Sequence, residues 1–299
     1  MSELQNPIFT DNDLARAWLE ARLWADGRVC GHCGTIGNST AIKGRAGLYQ
    51  CNECRKQFTV TVGTLFERSH IPLSKWLMAT FLLCSSKKGV SAHQLHRMLG
   101  ITYKSAWFMA HRLREAMKER AWPGPLGGGG KTVEADETFI GRKLGRKVRQ
   151  GSAHKHAIAS LVERGGRVRS FHVPRVNAKT LRNVLVTQVD RKSTLMTDDA
   201  IYYQKTGAEF ASHETVNHSA DEYVRGEAHT NTIEGFFSIF KRGMTGIYQH
   251  CSEAHLKRYL TEFDFRYSNR AALGVDDAQR ADIALKGIQG RRLTYRRTH

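Results

Sequence analysis

The sequence predicts an α/β protein built in parts: a small cysteine-stapled module, a run of helices, and a larger domain with a mixed sheet flanked by helices. Three observations carry this. Two Cys-x2-Cys pairs fall within residues 30–54, in a stretch short of periodic apolar residues. Residues 72–120 repeat apolar side chains at helical spacing. After the run Pro123-Gly124-Pro125-Leu126-Gly127-Gly128-Gly129-Gly130, short strand-like segments are interrupted by a helical pattern near 177–188.

Composition narrows the partners. The chain has 299 residues, enough for one large or two to three small domains, and 40% of them are hydrophobic. It carries 46 Lys+Arg against 28 Asp+Glu, a net charge of +18, so a polyanion is the expected partner. No apolar run approaches the roughly 18 to 20 residues of a membrane span; the longest, 76–84, reads as a short buried helix. Residues 1–5 lack the basic-then-apolar profile of a secretion signal, so a cytoplasmic, nucleoid-associated protein is expected. Four of the six cysteines fall in tight pairs, which in a reducing compartment points to metal rather than disulfides.

In chain order, residues 11–24 read as a helix that Asp11 or Asn12 can cap. Cys30, Cys33, Cys51 and Cys54 then form Cys-x2-Cys, a 17-residue spacer and Cys-x2-Cys. Four thiolates so spaced close a tetrahedron around one structural Zn2+, with no position left for substrate. Gly31 and Gly34 let the backbone turn tightly around sulfur, and Phe58–Val62 suits a strand of a zinc ribbon. His32 is an alternative ligand, but the cysteines already fill the site. Cys84 and Cys251 read as core thiols.

Residues 91–99, capped by Ser91, and 103–114 read as two helices around the turn Gly100-Ile101-Thr102. That is helix-turn-helix grammar, with Lys104, Arg112 and Arg114 as phosphate contacts and Trp107 and Phe108 as packing residues. A plain helical connector is the competing reading. Beyond the glycine-rich linker, strands are expected near 132–140, 155–163, 167–173 and 193–197, and helices near 231–242 and 253–268. The expected divisions are residues 1–66 (helix and zinc ribbon), 67–122 (helical DNA-binding segment), 123–130 (linker), 131–272 (the α/β domain) and 273–299 (a basic tail containing Arg291, Arg292, Arg296 and Arg297).

Three carboxylates stand out against the basic background. In 132–140, Glu134, Asp136 and Thr138 take one strand face and Val133, Ala135 and Phe139 the other. Asp198 follows an apolar strand, where α/β sheets place active groups. Glu234 shares a helix face with Asn231, Ser238 and Lys241, opposite Ile233, Phe236, Phe237 and Phe240. A solvated polar face is the competing reading there. Two Mg2+ ions, or Mn2+ in their place, need oxygen ligands to flank a phosphodiester, and two aspartates with one glutamate supply them. Between Glu137 and Glu163 there is no acid; Arg142, Lys143, Arg146, Lys147, Arg149 and Lys155 read as a basic loop beside Asp136.

The order zinc ribbon, helical segment, then Val133-Glu134-Ala135-Asp136-Glu137-Thr138-Phe139-Ile140-Gly141 resembles bacterial insertion-sequence transposases with a DDE-type domain, the group related to Merlin transposons. The stretch 229–243, His-Thr-Asn-Thr-Ile-Glu-Gly-Phe-Phe-Ser-Ile-Phe-Lys-Arg-Gly, is the most specific, continuing through 246–248, 255–260 and 262–267. The resemblance covers about residues 25–270. It implies a ribonuclease H-like catalytic fold and a metal-dependent polynucleotidyl transferase that cuts double-stranded DNA at element ends and joins it to target DNA, as a homo-oligomer on DNA. Asp136, Asp198 and Glu234 would hold the catalytic metal, Asn231 competing for the third place, with Lys241 and His229 on DNA or developing charge. Asp199 stands where the group often has glycine, and Ser268 interrupts its usual Arg-Tyr-Asn ending. The competing functions are a DNA-binding regulator with an inactive nuclease-like domain, and a nuclease or resolvase without strand transfer.

Overall fold

The computed structural model describes residues 3–148, 150–216 and 229–294. Arg149, Arg296 and Arg297 lie outside them. The chain divides into two compact units, residues 1–118 with 276–299, and residues 119–275.

In the first unit, helix α1 (Asn12–Leu23) is capped by Asp11, whose carboxylate accepts the N–H groups of Asp13 and Leu14. Asn12 serves elsewhere: its Oδ1 accepts the Leu73 N–H at 2.6 Å and so caps helix α2 (Leu73–Ser85), which begins after Pro72 and has no capping side chain of its own. Between them, β1 (Ser39–Ala41), β2 (Tyr49–Cys51) and β3 (Gln57–Phe58) form an antiparallel sheet. Its aromatic side chains Tyr49 and Phe58 meet Trp24 edge-on. The strand expected over 58–62 ends at Phe58, because Val62 turns back to bond Thr59. Gly31 sits under that turn, where a Cβ would come within 2.4 Å of the Val62 carbonyl oxygen. Helices α3 (Ala92–Leu99) and α4 (Tyr103–Ala116) follow, capped by Ser91 and Thr102, and α3 ends at Gly100 in the left-handed conformation.

The second unit is built on a five-stranded sheet. Its strands are β4 (Thr132–Ile140), β5 (His156–Glu163), β6 (Val168–Val173), β7 (Thr194–Asp198) and β8 (Ser212–Val216), in the order β6-β5-β4-β7-β8. The first three pair antiparallel, while β4 pairs parallel with β7 and β7 with β8. This is the mixed, ribonuclease H-like sheet that the resemblance implied. Helices α5 (Ala178–Gln188) and α6 (Ile201–Gly207) pack on one face with Val133, Ala135 and Leu195. Helices α7 (Asn231–Gly243) and α8 (Glu253–Ser268) cover the other face through Ile233, Phe236, Phe240, Leu260 and Phe263, against Ile158, Val162 and Val168. Strand β8 and helix α6 escaped the sequence reading. The strand Ser-His-Glu-Thr-Val lies at the sheet edge and buries only its last residue, so it shows little apolar signal.

Two expected boundaries are corrected. The glycine-rich run 123–130 is not a free linker. Leu126 is fully buried and bonds Gln188 and Asp190 through its backbone, and Gly128 donates to the Ser193 hydroxyl. A Cβ on Gly127 would lie 2.1 Å from Ser193 Oγ, so glycine there serves close docking rather than flexibility. Residues 273–299 are not simply a basic tail either. They contain helix α9 (Asp277–Lys286), which returns to the first unit and buries Ala281, Ala284 and Leu285. Beyond it, Leu65 donates to Ile288 and Gly290 to Gly63. The burial of Ala281, Ala284, Leu285 and Ile288, spaced like one helical face, outweighs the local basic charge.

Candidate active site

Strand pairing brings the two aspartates together. Glu134 on β4 is the register partner of Met196 on parallel β7, and Asp136 and Asp198 each stand two residues further along. Side chains two apart on a strand share a face, so both aspartates project on the side covered by α7, at the same level of adjacent strands. Asp136, in the middle of β4, accepts the Glu137 N–H at 2.6 Å, and Asp198, at the end of β7, accepts the Ala200 N–H at 3.2 Å. Asp199 falls outside the strand and is exposed, so Asp198 is the one in register.

Helix α7 delivers Glu234, and the carboxylate that anchors the helix is Glu134. This side chain is 0% exposed. Its oxygens accept the Ile233 N–H at 2.9 Å, the Thr232 hydroxyl at 2.8 Å and Arg164 Nε at 2.6 Å. An anion at a helix N-terminus satisfies orphan donors and meets the positive end of the dipole. Arg164 also donates to the His229 carbonyl at 2.6 Å, fastening the residues just before α7. His229, expected on DNA, has its ring 3.6 Å from Glu134, so part of its role is internal. Glu234 and Asn231 are exposed in the first turn of α7, and Glu234 accepts the Thr230 hydroxyl at 3.0 Å. Lys241 is exposed further along.

Glu137 backs the site from the opposite face of β4. Burial pushes its carboxyl up to about 7, the Tyr203 hydroxyl bonded to it pulls down, and the charges of Asp136 and Asp198 add to the rise. Sequence reasoning missed both Glu134 and Glu137. A lone acid among Val133, Ala135 and Phe139 was the legible signal for Glu137; Glu134 looked like any polar residue beside Asp136.

The carboxylates form no tight cluster. Among the described residues, the groups whose ligand atoms all lie within 4.8 Å are Cys30–Cys33–Cys51–Cys54 and His156–His172–Glu253. The donors are carboxylate oxygens, which fit a hard divalent ion.

In the first unit, Cys30 Sγ lies 3.7 Å from Cys54 Sγ and Cys33 Sγ 3.6 Å from Cys51 Sγ. Sulfurs at 2.3 Å from Zn2+ in a tetrahedron stand about 3.8 Å apart, so these cysteines fit the ion. The Thr35 hydroxyl at 3.3 Å holds the Cys33 thiol down to about 6.

The basic candidates separate. Lys104 is exposed at the start of α4. Arg114 is 2% exposed, so it is withdrawn as a phosphate contact: its helix position faces the core. Arg112 is half-buried over the Phe108 ring and donates to the carbonyls of Leu293 and Glu67, which ties it to its own unit. Arg142, Arg146 and Lys147 are exposed and Lys143 is half-buried.

Residues 125–268 match the model of the ISXO2-like transposase domain, and residues 10–57 that of the transposase zinc-ribbon domain. Together they span more than half of the chain. The chain carries an ISXO2-like transposase domain. This transposase is 27% identical over 237 residues to the uncharacterized protein in transposable element ISH50 of Halobacterium salinarum, covering 73% of this chain and 77% of that protein. A solved structure, the Mos1 strand transfer complex, matches at 15% identity over 71% of this chain and 74% of that one, with a TM-score of 0.29, too low to carry an argument. The transposase is thus an insertion-sequence enzyme acting on DNA, whose DDE domain implies a divalent metal. Among its described residues no helix is long and apolar enough to cross a membrane.

Proposed function

We propose that this transposase cuts DNA at the ends of its element and joins the freed 3′-hydroxyl to target DNA, using Mg2+ or Mn2+ held by Asp136, Asp198 and Glu234. The observation that carries the reading is the shared face and level of Asp136 and Asp198 on adjacent parallel strands. Bound divalent ions supply positive charge to the attacking and leaving oxygens of an in-line displacement. The chain's own residues do the rest. Glu134 and Arg164 pin the N-terminus of α7, the helix that carries Asn231 and Glu234 one turn apart. Glu234 is the better third ligand, because a carboxylate brings charge where an amide brings a dipole. Lys104, Arg142, Arg146, Lys147 and Lys241 are exposed cations suited to the phosphate backbone. Cys30, Cys33, Cys51 and Cys54 hold a structural Zn2+. Pairing two element ends calls for a homo-oligomer on DNA, and the substrate puts the work at the nucleoid in the cytoplasm.

The test is incubation of the full chain with Mg2+ and labelled DNA from the flanks of its own gene. Joined products are expected, and Asp136→Asn is expected to bind that DNA as well as wild type while cutting none of it. Hydrolysis without joining would make it a nuclease or resolvase, and binding without cleavage a regulator.

A further inference from the structure

The second cluster includes His156, four residues along β5 from Ser160, the register partner of Asp136. His156 on β5 and His172 on β6 share one sheet face: Ile158 is the register partner of His172, so His156 is its diagonal neighbour. Their rings meet edge to face at 5.2 Å. Glu253, the first residue of α8, reaches both, with Oε1 3.8 Å from His172 Nε2 and Oε2 4.0 Å from His156 Nδ1. These separations exceed hydrogen-bond length. His156 is 3% exposed, and its buried Nδ1 has no hydrogen-bond partner while facing the carboxylate. A buried ring nitrogen without a partner is costly and calls for an occupant.

We propose that His156, His172 and Glu253 bind a divalent transition-metal ion of the Zn2+ class. Two imidazole nitrogens and one carboxylate oxygen select Zn2+ or its neighbours over Mg2+, which prefers oxygen alone. Ligand atoms at about 2.1 Å in a tetrahedron stand about 3.4 Å apart, and the three ligand atoms here already lie within 4.8 Å of one another, so side-chain adjustment brings them onto one ion. Three protein ligands leave the fourth position to water. The ion would join β5, β6 and the start of α8. It would also brace the base of the basic loop, where Ile140 pairs with His156 and Lys143 donates to the His154 carbonyl.

The experiment counts Zn2+ bound to the full-length protein after equilibration and gel filtration. Wild type is expected to hold one equivalent more than either His172→Ala or Glu253→Ala, whose side chains are partly or fully exposed and leave the core intact. Cobalt in this site is expected to absorb without the thiolate charge-transfer band that the cysteine site gives. Added Zn2+ is expected to raise the melting temperature of wild type more than that of either variant. Equal Zn2+ content in all three proteins, or a loss confined to a variant that already melts lower without metal, overturns the proposal.

Discussion

Glu134 Oε2 accepts the backbone N–H of Ile233 at 2.9 Å, joining the central strand to the first turn of the helix that carries Glu234. The same carboxylate is the partner of Arg164 at 2.6 Å. Removing one member of a buried ion pair leaves the other uncompensated, at a cost of about 3 to 5 kcal/mol. Glu134→Ala is therefore expected to lower stability by about 3 kcal/mol or more in urea unfolding and to abolish cleavage. An unchanged midpoint would show that α7 is held by its apolar face alone.

The third carboxylate is separable from its neighbour. Glu234→Gln is expected to eliminate cleavage in Mg2+, and Asn231→Ala to reduce it less. Measured single-turnover rates in Mg2+ and Mn2+ decide: near-normal cleavage by Glu234→Gln, with Mn2+ rescue of Asn231→Ala, reverses the assignment.

The cysteine module depends on its metal, because its core is little more than Trp24, Tyr49, Phe58 and Val62 around the sulfurs. Cys51→Ser is expected to lose Zn2+ and unfold residues 25–65, seen as rapid proteolysis there. Zinc-free wild-type protein that resists protease would refute it.

DNA affinity is expected to fall steeply with salt, since each phosphate contact releases counterions. Arg142→Ala, Arg146→Ala and Lys147→Ala are each expected to reduce the slope of log K against log salt by up to about 0.9. Slopes equal to wild type would remove that loop from the DNA.

Burial pushes the Asp264 carboxyl up to about 7 from 3.8, against the hydroxyl and N–H of Ser170 bonded to it. Below pH 3.8 folded and unfolded chains both carry it protonated, and its contribution to stability is complete. As pH rises towards 7 the unfolded chain ionises first, so that contribution is lost. Asp264→Asn is expected to flatten the decline in urea midpoint between about pH 4 and about pH 7. Parallel wild-type and variant profiles would count against it.

Most of the catalytic unit was legible in the chain, because its signals are local. Alternation along 132–140 put Asp136 on the same face as Glu134, and the apolar face of 231–243 marked a helix with Glu234 on its polar side. Cysteine spacing likewise implied the closed sulfur cluster, since two tight pairs can wrap one ion without knowledge of the fold.

Tertiary structure decided what depends on partners distant in sequence. Glu134, one more polar residue in the sequence, is an anchor for α7 because Ile233 and Arg164 reach it. Arg114 turned inward, and Arg112 was engaged by Leu293 and Glu67. The glycine run docked where Leu126 found a buried place, and His156 met Glu253 across the length of the unit. Periodicity tells which face a residue takes, whereas charge, burial and hydrogen bonding are settled by what the opposite face brings.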